Sequence, residues 1–413
     1  MVENAVEVTV QERTRGHRIA KRMANVSEAA TLRIAARAQE LRAEGRSIVS
    51  LSTGEPDFPT PQHIKDAAVE ALAKNQTKYT PAEGMKKLRE IVAEKFRREN
   101  DIDTTWDRIQ ISSGGKHALS NAISALVDPG DEVVMPSPCW LSYPAMVAIA
   151  EGTSVMIETR LEDGWLMSPQ DLAAAITDRT KLLILNTPVN PTSAMYTEEQ
   201  LRALAEVIME SGIYVLVDEL YEKLTFDGRK HFSIGAIDSI KDQVITVNGL
   251  SKAYAMTGWR CGYATGPKQV IDAMNRLQSQ AVSHPSSITQ CAAIAALSSP
   301  QDKVGEMRQA FQQRRDLVVK LMREIPGIVF TDPKAAFYVF FDISSFIGKK
   351  LPNGTVVRSG EDICLMLLEE QGLALVPGGA FGKDDAVRLS FAASEADITE
   401  GVKRLKAGLS LIQ

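Results

Sequence analysis

Short apolar runs alternate with helical patterns over much of the chain. Between about residues 62 and 300, runs rich in β-branched residues are separated by segments whose apolar positions recur at helical spacing. The clearest predicted strands are IQIS (109–112), EVVMP (132–136), KLLILN (181–186), IYVLVD (213–218) and QVITVN (243–248). This alternation predicts a mostly parallel β-sheet covered by helices.

The two ends of the chain follow other patterns. Residues 27–44 predict a helix capped by Ser27 and ended by Gly45, and the Pro- and Gly-rich stretch 47–61 predicts a strand and a crossing between lobes. A long helix is predicted over 301–324. The predicted strands after it are GIVF (327–330), AAFYVFFD (335–342), LALVP (373–377) and AVRLSFA (386–392). We predict an N-terminal arm and part of a small domain over 1–60, a large domain over 61–300, and a C-terminal small domain with its connecting helix over 301–413.

Composition and charge narrow the class of protein. The 413 residues are 44% hydrophobic and 24% charged, and no apolar run approaches the 18 residues of a membrane span. A net charge of -5 argues against a nucleic-acid-binding surface. The basic run ERTRGHRIAKR (12–22) lacks a following apolar segment, so we interpret it as a mobile or partner-contacting arm rather than a secretory signal.

The cysteines indicate a reducing cytoplasm. They are far apart and form no C-x-x-C pair, which fits neither a zinc site nor a disulfide framework. Their positions are Cys139, Cys261, Cys291 and Cys364.

Polar residues follow each predicted strand, where ligands of open α/β sheets bind. IQIS is followed by Gly114 and Gly115, which open a predicted helix suited to a phosphate, although such a pair is also common in tight turns. Trp140 follows EVVMP and is either a core side chain or a flat surface for an aromatic ring. Asn186 and Asn190 follow as amide donors in a proline-rich loop.

Asp218 ends the strand IYVLVD, which is apolar enough to be buried on both faces. A buried carboxylate needs a cation or a strong hydrogen-bond donor, so we expect a partner for it. The alternative is a helix N-cap. Tyr221 lies three residues on and can reach the same cleft from a turn.

The stretch NGLSKAYAMTGWRCGY (248–263) brings Ser251 and Lys252 after the fifth strand, with Arg260 eight residues later. Most lysines are solvated, but burial or a nearby positive charge lowers the pKa of a lysine and makes it a nucleophile. Together the strand ends offer a reactive lysine, a carboxylate, a phenol, an amide, an aromatic ring and a phosphate-binding turn. Pyridoxal 5'-phosphate (PLP) requires this set of groups.

A family resemblance covers the chain from about residue 17 to its C-terminus. It is carried by TGEPDFPTP, KYTPAEG, GGKHAL, SPCWLSYP, NTPVNPTS, VDELYE, NGLSKAYAMTGWRCGY and VRLSFA, in that order. The sequence resembles the fold-type I aminotransferases, in particular bacterial aspartate aminotransferases of the subgroup that includes prephenate aminotransferases. The resemblance implies an α/β fold with a large domain, whose mostly parallel mixed sheet is flanked by helices, and a smaller α+β domain formed by both chain ends. It also implies a homodimer with shared active sites.

The resemblance implies roles for the candidate residues. Lys252 would hold PLP covalently and move the proton at the substrate α-carbon, and Asp218 would keep the pyridine nitrogen protonated. The other implied cofactor contacts are Tyr221 and Asn190 at the ring oxygen, Trp140 against the ring, Arg260 and Ser251 with the Gly114–Gly115 turn at the phosphate, and Tyr79 at the phosphate of a neighbouring subunit. Arg388 would bind the substrate α-carboxylate, with Gly54 and Asn190 beside it.

The substrate side-chain pocket follows the same resemblance. Lys116 would receive the distal carboxylate of aspartate or glutamate, since residues 281–290 contain no arginine. Thr80 resembles the residue associated with prephenate use, with an ordinary turn threonine as the alternative. The departures from the family pattern are Cys139 for an aromatic residue, Val189 and Ser193 in the N-N-P-T-G loop, His284 near the substrate mouth, and an alanine for a serine in SEAAT (27–31).

We therefore predict a PLP-dependent aminotransferase with aspartate or glutamate as donor and 2-oxoglutarate, oxaloacetate or prephenate as acceptor. The alternatives are an aromatic or broad-specificity aminotransferase and a β-eliminating lyase on the same scaffold. A non-catalytic, PLP-sensing regulator is a further alternative, but the first fifty or so residues have no helix-turn-helix pattern.

Overall fold

The structure is a computed structural model that describes residue 20, residues 22–23 and residues 30–413. Most of the predicted basic arm, the Ser27 cap and the first part of SEAAT lie outside these residues. The described α-helices are α1 (Ala30–Ala43), α2 (Gln62–Ala73), α3 (Lys86–Asn100), α4 (Gly115–Leu126), α5 (Ser142–Ile149), α6 (Pro169–Ala175), α7 (Glu198–Ser211), α8 (Lys268–Ala281), α9 (Ser287–Ser298), α10 (Asp302–Met322), α11 (Gly360–Gln371) and α12 (Glu395–Leu409). The described strands are β1 (Val49–Ser50), β2 (Ile109–Ser112), β3 (Glu132–Ser137), β4 (Thr153–Glu158), β5 (Thr180–Asn186), β6 (Tyr214–Asp218), β7 (Val244–Gly249), β8 (Gly262–Thr265), β9 (Val329–Phe330), β10 (Tyr338–Asp342), β11 (Leu373–Ala374), β12 (Val376–Pro377) and β13 (Ala386–Ser390).

The main sheet has the strand order β2-β8-β7-β6-β5-β3-β4. Strand β8 is antiparallel to β2 and β7, and the other neighbours are parallel. The five strands predicted between 109 and 248 are confirmed to within one residue at each end. Strands β4 and β8 were not predicted, because β4 is a half-exposed edge strand and β8 has only four residues and begins within the stretch 248–263.

Strand register positions the candidate residues at one edge of the main sheet. Asn186 pairs with Asp218 across β5 and β6, and Asp218 pairs with Val247 across β6 and β7. Strand β7 ends at Gly249, three residues before Lys252. Since parallel strands end at the same edge, this register brings the residues after β5, β6 and β7 together.

Both chain ends build a smaller α+β unit. Strand β1 pairs in parallel with β11, and a second sheet has the antiparallel order β12-β13-β10-β9. Its apolar core joins Leu41 and Leu51 from the N-terminal side to Phe337 and Leu389 from the C-terminal side. The predicted fold class is therefore confirmed, while the domain limits at 60 and 300 stay predictions. Among the helices that the structure describes, none is long and apolar enough to cross a membrane.

Candidate active site

A cavity of about 310 Å³ opens at the carboxyl edge of the main sheet, against the smaller unit. Ligand sites in proteins commonly have this size and combine apolar walls with a few polar groups. The predicted residues that line it are Gly54, Lys116, Trp140, Asn186, Asn190, Asp218, Tyr221, Lys252 and Arg388. These residues come from sequence positions more than 300 apart, and they meet because β13 of the second sheet faces the ends of β5, β6 and β7.

The side chain of Lys252 enters this cavity from the turn after β7. Its Nζ donates a hydrogen bond to the Gly54 carbonyl oxygen at 2.6 Å and lies 6.0 Å from the centroid of the Tyr221 ring. Burial lowers the pKa of Lys252 to about 8, with Arg388 as the next contributor and Arg260 a smaller one. Sequence reasoning credited the effect of charge to Arg260, because the approach of Arg388 depends on how the two sheets pack.

The Asp218 carboxylate lies at the end of β6 and is buried. Its Oδ2 accepts a hydrogen bond from the Tyr143 hydroxyl at 2.8 Å, and its Oδ1 accepts one from the Leu220 backbone N–H at 3.1 Å. Burial raises the pKa of Asp218 to about 6 and outweighs both hydrogen bonds. Residues 220–223 form turns and no helix follows Asp218 directly, so the bond to Leu220 closes a turn and the N-cap alternative is wrong.

Two tyrosines in the site received no role from the sequence. Tyr143 lies on α5 and holds Asp218, and the Tyr338 hydroxyl is 2.8 Å from that of Tyr221. A Cβ at Gly54 would come within 3.1 Å of the Tyr338 hydroxyl, so a larger residue there would require this hydroxyl to shift. The sequence feature that could have identified these two residues is a tyrosine within an apolar run, since SPCWLSYP contains Tyr143 and AAFYVFFD contains Tyr338.

Arg388 projects from β13, between Phe340 and Val376 of the neighbouring strands. Its guanidinium donates to Asn190 Oδ1 and to the Ser52 carbonyl oxygen, each at 2.9 Å, so Asn190 acts here as an acceptor. Its Nε is buried without a hydrogen-bond partner, and within the described residues no carboxylate forms an ion pair with it. A buried arginine arranged in this way favours a carboxylate from outside the chain.

The predicted phosphate-binding residues lie beside this cavity and outside its lining. Gly114 has a φ of +88°, and a Cβ there would come within 2.4 Å of the Arg260 guanidinium. The glycine therefore lets the guanidinium lie against the backbone at the start of α4, where Gly115 follows. Ser251, the residue before Lys252, is also buried. Helix N-terminal N–H groups next to an arginine are suited to a phosphate.

Lys116 and Trp140 form the outer wall of the cavity. The Lys116 Nζ lies 4.7 Å from the centroid of the Trp140 ring, and this ring meets Tyr143 edge-on at 5.3 Å. Burial, with a smaller contribution from Arg260, lowers the pKa of Lys116. Trp140 thus contacts both a cation and Tyr143, the hydrogen-bond donor to Asp218.

Tyr79 and Thr80 do not line this cavity. Tyr79 is 90% exposed and packs edge-on against His284, with 5.5 Å between ring centroids. The Thr80 hydroxyl accepts a hydrogen bond from Gln290 Nε2 at 3.0 Å. His284 contacts Tyr79 and lies outside the lining as well.

The departures near the cavity are accommodated by local packing. Ser193 has a φ of +56°, in the region that favours glycine, and its hydroxyl accepts a hydrogen bond from the Tyr338 backbone N–H at 3.1 Å. Cys139 and Val189 are buried, and burial raises the pKa of Cys139 to about 12. None of these three residues lines the cavity.

Comparison with known proteins decides the family. The family model described as aminotransferase class I and II matches residues 46–405. The chain belongs to this family. Its predicted nature as an aminotransferase, and hence as an enzyme, is thereby confirmed.

The relatives of this aminotransferase match it over nearly their whole length. It is 44% identical over 387 residues to the aspartate/prephenate aminotransferase of Cereibacter sphaeroides, covering 93% of this chain and 97% of that protein. It is 43% identical over 390 residues to a probable aspartate/prephenate aminotransferase of Rhizobium leguminosarum bv. phaseoli, covering 94% and 98%. The crystal structure of aspartate aminotransferase from Rhizobium meliloti superposes with a TM-score of 0.93 at 42% identity, covering 96% of this chain and all of that one. Aspartate aminotransferase from Thermus thermophilus with maleate gives a TM-score of 0.89 at 42% identity, covering 94% and 99%.

Proposed function

We propose that this aminotransferase uses PLP to exchange an amino group between aspartate or glutamate and 2-oxoglutarate or oxaloacetate, with prephenate as a further acceptor. The observation that carries the proposal is the meeting of Lys252, Asp218 and Arg388 around one cavity. A lysine of lowered pKa, a buried carboxylate and a buried arginine without a carboxylate partner are the groups that PLP-dependent transamination needs.

The residues present fit PLP. When bound, PLP supplies an aldehyde for the Lys252 amine and a pyridine ring that withdraws electrons. Asp218 would hold the proton on the ring nitrogen, Tyr221 and Asn190 would bond the ring oxygen, and Trp140 would cover the ring. Arg260, Ser251 and the Gly114–Gly115 turn would hold the phosphate. The close approach of Arg260 to a glycine without a Cβ supports that assignment.

The substrate would be oriented by charges at its two ends. Arg388, with Gly54 and Asn190 beside it, would bind the α-carboxylate in a bidentate manner. Lys116 would bind the distal carboxylate of a dicarboxylic substrate from the outer wall. The names of the relatives, and maleate in one related structure, support a dicarboxylate, since maleate has two carboxyl groups.

The Lys252 amine would act as the base for the α-proton. Its pKa of about 8 leaves a substantial neutral fraction near neutral pH, whereas an ordinary lysine is almost wholly protonated. The hydrogen bond to the Gly54 carbonyl oxygen holds the amine inside the cavity that Arg388 also lines.

We also propose a homodimer in which Tyr79 reaches the phosphate site of the partner subunit. Its 90% exposure and its distance from its own subunit's cavity support this role. Thr80, next to it, would reach the same substrate mouth. Mixing Tyr79→Ala and Lys252→Ala subunits tests it, because a hybrid dimer has one site with both side chains intact. Activity well above that of either parent is expected, and its absence would refute the shared site.

Substrate choice is tested by following the absorption of bound PLP with single amino acids. Aspartate and glutamate are expected to convert the cofactor to its amine form, and oxaloacetate, 2-oxoglutarate or prephenate to restore it. Release of pyruvate and ammonia without an oxoacid would identify a β-eliminating lyase instead. A faster response to aromatic amino acids would favour the aromatic aminotransferase, and no conversion with any amino acid would favour a regulator.

Two further assignments go with this function. The domain limits at 60 and 300 agree with the separation of the two sheets in the chain. A reducing compartment such as the cytoplasm agrees with four cysteines that are all free thiols, three of them buried.

A further inference from the structure

The turn after β6 carries side chains toward two different environments. Asp218 and Tyr221 line the active-site cavity, whereas Glu219 and Glu222 of the same turn point away from it into a buried polar cluster. The turn is tied to the sheet by the Glu219 backbone N–H, which donates to the Val247 carbonyl oxygen at 2.9 Å. A displacement of Glu219 therefore also displaces its neighbour Asp218.

The cluster is built by α3 and by the loop after the turn. The Ser233 hydroxyl donates to Glu219 Oε1 at 2.6 Å, and His231 Nε2 lies 3.2 Å from Glu219 Oε2. Lys95 pairs with Glu222, and Asn100 Nδ2 donates to Glu222 Oε2 at 2.7 Å and to Glu219 Oε2 at 3.2 Å. The side chain of Glu219 has no exposed surface, and that of His231 is 6% exposed.

The charges of the other side chains in this cluster leave His231 as the partner of Glu219. Lys95 forms an ion pair with Glu222. Burial opposes ionisation of Glu222, but Lys95, Lys223 and His231 together outweigh it and hold the pKa of Glu222 below its ordinary value. Among the described residues, His231 is the one cation that forms an ion pair with Glu219. Burial opposes protonation of His231, but Glu219 raises its pKa above the ordinary value. On the solvent side a second cavity of about 390 Å³ has Glu99, Lys223, Arg229, Lys230 and Arg308 in its wall.

Glu219, Glu222 and His231 are also close enough to hold a metal ion, with their ligand atoms within 4.8 Å of one another. Lys95, however, already bonds Glu222, and Ser233 and Asn100 already bond Glu219. A divalent cation would have to displace these donors and would leave excess positive charge. The Lys95–Glu222 and His231–Glu219 pairs balance the charges of the cluster without one. The His231 pair is a charge contact rather than a hydrogen bond, since neither ring nitrogen has a hydrogen-bond partner among the described residues.

We propose that Glu219 and His231 form a buried ion pair that holds the turn after β6 in place, which makes them positioning residues for Asp218 and Tyr221. Neither touches the active-site cavity. They act through one peptide unit, since Glu219 adjoins Asp218, and through the hydrogen bond from the Glu222 backbone N–H to the Glu219 carbonyl oxygen at 3.0 Å, which closes the turn around Tyr221. This inference rests on the proposed roles of Asp218 and Tyr221.

The test is the variant Glu219→Gln, measured as holoenzyme and after removal of PLP. Loss of the ion pair is expected to weaken PLP binding about tenfold and to lower kcat about tenfold, because small displacements of catalytic groups reduce rates by such factors or more. It is also expected to shift the pH at which the absorption of bound PLP changes. The double variant Glu219→Gln/His231→Gln is expected to be no worse than the single one, because the ion pair is already lost when Glu219 is replaced and burial then favours a neutral His231.

The matched control is Glu132→Gln. The Glu132 side chain is 8% exposed, accepts hydrogen bonds from Thr177 Oγ1 at 2.6 Å and Arg179 Nη2 at 2.5 Å, and lies at the amino end of β3, the far end of the sheet. The variant Glu132→Gln is expected to unfold at a lower urea concentration than wild type. Its PLP affinity is expected to stay within about twofold of wild type. Equal PLP affinities for the two variants would overturn the inference and make the cluster merely structural.

Two further variants make the outcome decisive. If Glu219→Gln does not fold, Ser233→Ala removes only the 2.6 Å hydrogen bond to Glu219 and is expected to shift the absorption change in the same direction. Asp218→Asn is measured alongside. If Asp218→Asn keeps wild-type PLP affinity and turnover, the proposed site is refuted. If Asp218→Asn loses them while Glu219→Gln and Ser233→Ala both keep normal values, only the positioning role is refuted.

Discussion

Replacing Asp218 by asparagine is expected to stabilise the protein when PLP is absent. The carboxylate is buried at the end of β6 with a phenol and one backbone N–H as donors and with no ion-pair partner among the described residues. Burying a charge without a cation is costly, and PLP would supply that cation through its protonated ring. The side chain that serves the cofactor therefore destabilises the chain until the cofactor arrives.

The size of the effect follows from the pKa. Burial raises the pKa of Asp218 from 3.8 to about 6. A difference of about two pKa units between the folded and unfolded states lowers the free energy of unfolding by ~3 kcal/mol at pH 8. Between these values the folded chain binds more protons than the unfolded chain, so the free energy of unfolding falls as pH rises through this window. Asparagine can accept from Leu220 and donate to Tyr143, which leaves one phenol proton unbonded at a cost of ~1 kcal/mol. The net gain is ~2 kcal/mol at pH 8 and falls below about 1 kcal/mol at pH 5.

The assay is urea unfolding of PLP-free protein at pH 8 and pH 5, followed by tryptophan fluorescence. Asp218→Asn is expected to unfold at higher urea than wild type at pH 8 and nearly together with it at pH 5. Saturating PLP is expected to reverse the order at pH 8, because tighter binding stabilises the wild type more. An asparagine variant that is less stable than wild type at both pH values would refute the argument that burial governs this carboxyl group.

Three further predictions concern neighbouring groups. The rate at which PLP-free enzyme captures PLP covalently is expected to rise with pH through about 8, as the Lys252 amine deprotonates, and a flat stopped-flow profile would contradict the lowered pKa. Tyr143→Phe removes the 2.8 Å donor to Asp218, so the pKa of Asp218 should rise further and PLP affinity should fall about tenfold, or ~1.4 kcal/mol, in equilibrium titrations; unchanged affinity would show that the bond is dispensable. Lys116→Ala is expected to raise KM for aspartate about tenfold and to leave KM for alanine unchanged, and equal changes for both substrates would exclude Lys116 as the distal carboxylate site.

Local pattern was sufficient for much of the fold. Strand ends within one residue could be read for the main sheet because β2, β3, β5, β6 and β7 are short apolar runs bounded by polar residues, a feature that each segment carries independently of its neighbours. The same reasoning selected Asp218, which ends such a run, and Lys252, which lies three residues after one. It missed β4 and β8, whose strand character depends on pairing with a neighbour rather than on their own composition.

Contacts across the two sheets were beyond such reasoning. That Tyr143 is the donor to Asp218, that Tyr338 meets Tyr221, and that Arg388 rather than Arg260 is the main cation near Lys252 all depend on side chains brought together from distant segments. The amino-acid sequence thus defined the chemical groups at the strand ends, because each strand end is a local event. Which groups touch, and with what pKa, came from strand register and packing between the sheets, because burial and distance are properties of the assembled chain.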